Sequence, residues 1–156
     1  MNENELFFRT IQTGQIKNLQ LQLDRNSSLA NIKDSRGFTP LIFATYFGQM
    51  DMARLLIEKG ADIDGKDASG NTALIGVSFK GNIDLVELLL RHGADIDIQN
   101  NDGTTALIFA TQYNQEAVVA ILLGHNADQS LEDNKGKTAK DYALEKGFDA
   151  LVKLLG

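Results

Sequence analysis

Gly70-Asn71-Thr72-Ala73-Leu74 and Gly103-Thr104-Thr105-Ala106-Leu107 stand 33 residues apart. The same phrase occurs one step earlier as Gly37-Phe38-Thr39-Pro40-Leu41 and one step later as Gly136-Lys137-Thr138-Ala139-Lys140. The register holds beyond the phrase. Leu55-Leu56, Leu88-Leu89, Ile121-Leu122 and Leu154-Leu155 keep the same step, as do Gly60-Ala61-Asp62, Gly93-Ala94-Asp95 and Asn126-Ala127-Asp128. Self-similarity at a fixed period of this length is the signature of stacked repeats.

The chemistry of one unit reads from its own residues. Thr39 suits an N-cap, and Pro40, with its fixed φ and missing N–H, suits the first helical position. A short helix is predicted through Leu41 and Ala44, stopping near Gly48. A second starts near Asp51, carries Ala53, Leu55, Leu56 and Ile57, and ends at Gly60, a residue able to take the left-handed C′ conformation. Ala61 to Ser69 is short, polar and glycine-bearing, and reads as an extended turn or hairpin. Neither helix is long enough to be stable alone, and one pair cannot enclose its own apolar face, so the units must stack.

On these phrases and their period the sequence resembles the ankyrin repeats. The resemblance implies a mainly α solenoid of stacked helix-turn-helix units joined by β-hairpin-like loops. Five units are expected across a single domain, residues 1–156. They are a degenerate N-terminal cap (4–36), full repeats at 37–69, 70–102 and 103–135, and a truncated C-terminal cap (136–156). In the first unit Gly14-Gln15-Ile16 aligns with Gly48-Gln49-Met50, Gln22 replaces a leucine, Asn26 replaces the terminating glycine, and the loop is one residue longer. The family phrase Thr-Pro-Leu-His-x-Ala is altered here, because Ile42, Ile75 and Ile108 stand where the histidine belongs and Asp141 does so in the last unit. The polar network of that histidine is therefore expected to give way in part to apolar packing.

Composition narrows the function. The chain has 156 residues, 43% of them hydrophobic, with 15 Lys plus Arg against 21 Asp plus Glu, a net charge of −6 and no cysteine. That suits one folded domain and removes disulfides, thiolate metal sites and cysteine nucleophiles. The acidic balance argues against general nucleic-acid binding, which needs clustered Lys and Arg. The N-terminal Met1-Asn2-Glu3-Asn4-Glu5-Leu6 lacks the basic and apolar regions of a signal peptide, and no apolar stretch approaches the roughly 20 residues of a membrane span. A cytoplasmic, monomeric protein with no membrane association is expected.

Motifs that mimic chemistry have simpler readings. Gly60 to Lys66 has the spacing of a phosphate-binding loop, but it follows a helix and holds Asp62 and Asp64 where phosphates would lie; Gly136-Lys137-Thr138 lacks the first glycine. Asp62-x-Asp64 and Asp95-x-Asp97 lack the glycine and glutamate of a calcium loop, so local turn chemistry is expected of them. His92 and His125 occupy one repeat position, each three residues before an aspartate, Asp95 and Asp128. Together these four residues form the alternative functional reading, a metal- or small-ligand-responsive repeat protein. Against it, Lys59 fills the equivalent place one repeat earlier, as helix-end capping would allow and metal ligation would not. No nucleophile stands beside a base, so a non-enzymatic protein without catalytic residues, cofactor or resident metal is expected.

The resemblance implies a protein-binding module in which hairpin tips and the exposed side of each first helix line a concave groove. By register, the helix positions are Tyr46-Phe47, Phe79-Lys80 and Gln112-Tyr113. The tip positions are Lys33, Ser35, Arg36 and Phe38, then Lys66, Ala68, Ser69 and Asn71, then Gln99, Asn101, Asp102 and Thr104. Aromatic residues suit an interface because each buries a large area. The net charge is unevenly spread: residues 1–80 hold nine basic and nine acidic side chains, 81–134 hold Arg91 against nine acids, and 135–156 hold five lysines against three acids. With Asp102, Glu132 and Asp133 mapped to the tips, a protein partner with a basic patch is expected opposite the third and fourth units.

Overall fold

The structure is a computed structural model that describes residues 1–156. Ten α-helices and no strands follow one another: α1 (Glu3–Gln12), α2 (Ile16–Arg25), α3 (Pro40–Tyr46), α4 (Met50–Glu58), α5 (Ala73–Lys80), α6 (Ile83–Arg91), α7 (Ala106–Gln112), α8 (Glu116–Gly124), α9 (Ala139–Lys146) and α10 (Asp149–Leu154). Each odd-numbered helix packs on the even-numbered one that follows it, and the odd-numbered helices pack on one another in succession, α1 on α3 through to α7 on α9. The extra residue of the first loop is taken up by a 3-10 turn at Ser27–Asn31.

The odd-numbered helices form the inner row; Asn2 starts α1, and threonine starts α3, α5, α7 and α9 as its chemistry requires. The side chains of Thr39, Thr72, Thr105 and Thr138 accept from the backbone N–H groups of Ile42, Ile75, Ile108 and Asp141. Asp141 also returns a bond to the Thr138 N–H at 3.0 Å, closing a capping box. The isoleucines that replace histidine are all in the core, with Ile75 and Ile108 at 2% and 1% exposure. The expected apolar substitution is thus what the interior contains.

Polar stitching between units has moved to the loops. Asp34, Asp67, Asn100 and Asp133, one per unit, each accept two backbone N–H groups from residues two and four places on. The backbone N–H of each donates to the carbonyl of the residue four places on, so every loop is a closed turn without becoming a strand. The Asp-x-Asp pairs carry out the expected turn chemistry and add a link between units. Asp62 and Asp95 accept from the N–H two residues on, while Asp64 reaches the N–H of Asp95 at 2.9 Å and Asp97 reaches that of Asp128 at 2.8 Å. Glycine is needed at the turn of each tip. Gly70 has φ +78°, and a Cβ there would lie 2.9 Å from the backbone N of Asn101 in the adjacent tip.

Thirty-six buried apolar residues form one continuous core along the stack. Fully enclosed side chains come from every full unit, among them Leu56, Leu88 and Leu122. No helix is long and apolar enough to cross a membrane.

Candidate functional site

The inner helices and the loop tips together border three depressions on one side of the stack. One lies beside α1 and the first tip, with Phe8, Arg36 and Phe43 in its lining; a second lies between α3 and α5; a third, of about 550 Å³, is bordered by α7, α9 and the last two tips. Most of the residues expected to bind a partner lie along this row, but they do not have equal freedom to do so.

The aromatic residues form two clusters. Tyr46 and Phe47 are 53% and 41% exposed. Their rings meet edge to face at 5.1 Å, and Phe47 continues to Phe43 at 4.9 Å. Phe38, half-buried, lies 6.5 Å from Tyr46 and carries the Arg36 guanidinium 4.5 Å above its ring. Arg36 is also paired with Asp34 at 2.9 Å, and that contact is one reason the Asp34 carboxyl sits below the usual carboxylate range. Burial works the other way at Asp34 but is outweighed by the N–H groups of Phe38 and Arg36 together with the guanidinium. Lys80 lies over Tyr46, its Nζ 3.5 Å from the ring centroid and donating to the Tyr46 carbonyl at 2.8 Å. In the second cluster Phe79 meets Tyr113 at 4.4 Å and Phe109 at 6.0 Å, with Tyr113 54% exposed. Gln112, half-buried, lines the third depression beside Tyr113.

At the tips the structure separates exposed residues from committed ones. Lys66, Ser69 and Asp102 are exposed. Asn71 is half-buried, and its Oδ1 accepts from Asn100 Nδ2 at 2.8 Å. Gln99 and Asn101 are also exposed, yet their amides are used to join units: Gln99 Nε2 donates to the carbonyls of Gly103 and Glu132, and Asn101 Nδ2 to that of Ala68. Thr104 is a correction to the expected tip set. It is only 6% exposed, because it closes the turn at Asn100. Asp133 is a second correction. It is 9% exposed, and its carboxylate accepts the Tyr142 hydroxyl as well as two backbone N–H groups, so it is not an acid offered to a partner.

The four residues of the metal-ligand alternative do not converge. No group of three or more His, Cys, Asp or Glu side chains is placed to hold a metal ion. His92 and His125 are exposed C-cap residues of α6 and α8, Asp95 accepts the Asp97 N–H, and Asp128 accepts the Ser130 N–H and hydroxyl. The Ser130 bonds hold the Asp128 carboxyl below its ordinary range.

Sequence reasoning missed the column 43, 76, 109 and 142. It carries Phe43, Gly76, Phe109 and Tyr142, a ring facing the row of depressions at three of these four positions. Its 33-residue spacing was the available signal. Lys135 and Lys146, which line the third depression, were missed as well.

A family model described as ankyrin repeats (3 copies) matches residues 7–100 and again 74–156. Part of the chain is 45% identical over 49 residues to the Homo sapiens protein named DNA-binding protein RFXANK, and 50% identical over 36 residues to the Mus musculus protein of that name. The alignments cover 31% and 23% of this chain, but only 19% and 13% of those proteins. The matched stretch therefore spans less than a fifth of either relative's length.

Proposed function

Because the chain belongs to the ankyrin-repeat family, a family of generic protein-interaction modules, we propose that it is a non-catalytic binding protein that grips a partner protein along the row of inner helices and loop tips. The supporting observation is the pair of exposed aromatic clusters, Tyr46-Phe47 and Phe79-Tyr113, held edge to face on short helices that are fixed by the stack. Large rings that are already ordered bury area on association at little further entropic cost. The binding set is Tyr46, Phe47, Phe79, Lys80, Gln112 and Tyr113, with Arg36, Phe38, Lys66, Ser69, Asn71 and Asp102 around them.

The acidic excess of residues 81–134 favours a partner with a basic patch at that end, carried on the surface by Asp102 and Glu132. The relatives are named for DNA binding, but the charge of this chain suits protein better than phosphate. We also place the chain as a monomer in the cytoplasm when unbound.

Alanine at Tyr46, Phe79 and Tyr113 together tests the reading. Capture of the native partner should weaken about tenfold or more, with the melting temperature nearly unchanged. A collapse of stability would show the rings to be structural, and unchanged capture would move the interface elsewhere. Capture by the wild type should also weaken as salt is added.

A further inference from the structure

Gly76 lies in the middle of α5, where glycine costs about 0.5–1 kcal/mol relative to alanine. Two ordinary reasons for tolerating it are absent. Its φ is not positive, and a Cβ added there would meet no atom within 4 Å. The position belongs to the column that holds Phe43, Phe109 and Tyr142, and only here is the ring missing.

The missing ring leaves a notch of about 150 Å³ between α3 and α5, walled by Phe38, Ile42, Tyr46, Val77 and Phe79, with Lys80 at its edge. An apolar cavity of about that size accommodates a benzene ring. The next unit shows what such a ring would meet. Phe109 rests edge-on against Phe79 at 6.0 Å, and the residues one step earlier in the repeat are Gly76 and Tyr46.

The notch also has a charge preference. Lys80 belongs to none of the four ion pairs in the molecule. The other charged group in the lining, Asp67, already accepts the N–H groups of Ser69 and Asn71 on Oδ1. The Lys80 ammonium, held by the Tyr46 carbonyl and ring but paired with no carboxylate, complements an aromatic ring with a carboxylate next to it in the apolar notch.

We propose that the Gly76 notch is the anchor point of the groove, and that it takes one aromatic side chain of a partner protein, adjacent to an acidic residue that pairs with Lys80. This rests on the groove reading above and names what the partner must present there.

The test is selection of a random-peptide display library on the wild type, followed by affinity measurement of the enriched peptides on Gly76→Phe, Lys80→Gln and the Tyr46/Phe79/Tyr113 triple alanine variant. The enriched peptides should carry Phe, Tyr or Trp next to Asp or Glu. They should lose about tenfold or more on Gly76→Phe, which fills the notch with the side chain of neighbouring units, and a fewfold on Lys80→Gln. Gly76→Ala guards against misfolding as an explanation: it should melt higher than the wild type and keep most of the affinity. Peptides that bind Gly76→Phe as well as the wild type, yet fail on the triple variant, would overturn the notch and leave the groove standing. So would groove-dependent peptides without an aromatic residue. If no enriched peptide depends on the triple substitution, the groove reading fails, and the notch with it.

Discussion

Leu88→Ala is expected to lower the unfolding free energy by about 2–5 kcal/mol. Leu88 is 1% exposed on α6, in the middle unit, beside Leu85, Val86 and Leu89, all within 1% exposure. Removing its isobutyl group deletes contacts on several sides and leaves space that short helices held by their neighbours can close only in part. In a stack each unit is stabilised by the next, so a cavity in the central unit weakens the coupling of both halves. The broadening of the denaturant transition should show that as well as the shift of its midpoint. Glu87→Ala, at an exposed position on the same helix, should change stability by no more than about 0.5 kcal/mol. A Leu88→Ala cost below about 1 kcal/mol would mean that the units do not pack as described.

The second large effect is expected at the last loop. Asp133 accepts from the N–H groups of Lys135 and Lys137 at 2.9 and 3.1 Å and from the Tyr142 hydroxyl. Asp133→Ala removes all three bonds and leaves the Tyr142 hydroxyl, on a residue 7% exposed, without its acceptor. A loss of about 2–4 kcal/mol is expected, centred on α9 and α10. Tyr142→Phe should cost less, because it removes one of the three bonds and leaves Asp133 its two backbone N–H donors.

The pair also sets two limits on pH stability. Burial alone would raise the Asp133 pKa, but the Tyr142 hydroxyl and the two backbone N–H groups outweigh it and hold the carboxyl below its ordinary range. Its contribution is complete above about pH 4 and is lost as pH falls through the depressed folded value. Tyr142 is pushed up to about 12 by burial first and then by the hydrogen bond and negative charge of Asp133. A raised phenol contributes stability that is complete below about pH 10 and is lost as pH rises through the folded value. Unfolding curves of wild type and Tyr142→Phe should converge in strong alkali; parallel curves there would contradict the assignment.

The period made the fold legible, because each unit repeats the residues that start and stop its helices: a capping threonine, an apolar pair, a turn glycine. Local chemistry of that kind acts within a few residues and can be read along the chain. The candidate site was legible only in part. Tyr46, Phe79 and Tyr113 stand exposed where the register put them, whereas Gln99, Asn101, Thr104 and Asp133 read as free tip residues and are used to join or close the loops. Their partners lie within their own turn or one unit away, and a polar side chain reads the same whether it meets water or a carbonyl. Gly76 was invisible for a related reason, since an absent ring matters only once Tyr46 and Phe79 are seen to wall the depression beside it.

If the partner lies along the inner helices and tips, it protects them from solvent, and amide hydrogen exchange of the chain, free and with its captured native partner, reads that protection. Slowed exchange in α3, α5 and α7 and in the loops at 34–38, 67–71 and 100–104 is the expected result. Slowing confined to α4, α6 and α8 would place the partner on the opposite face and contradict it.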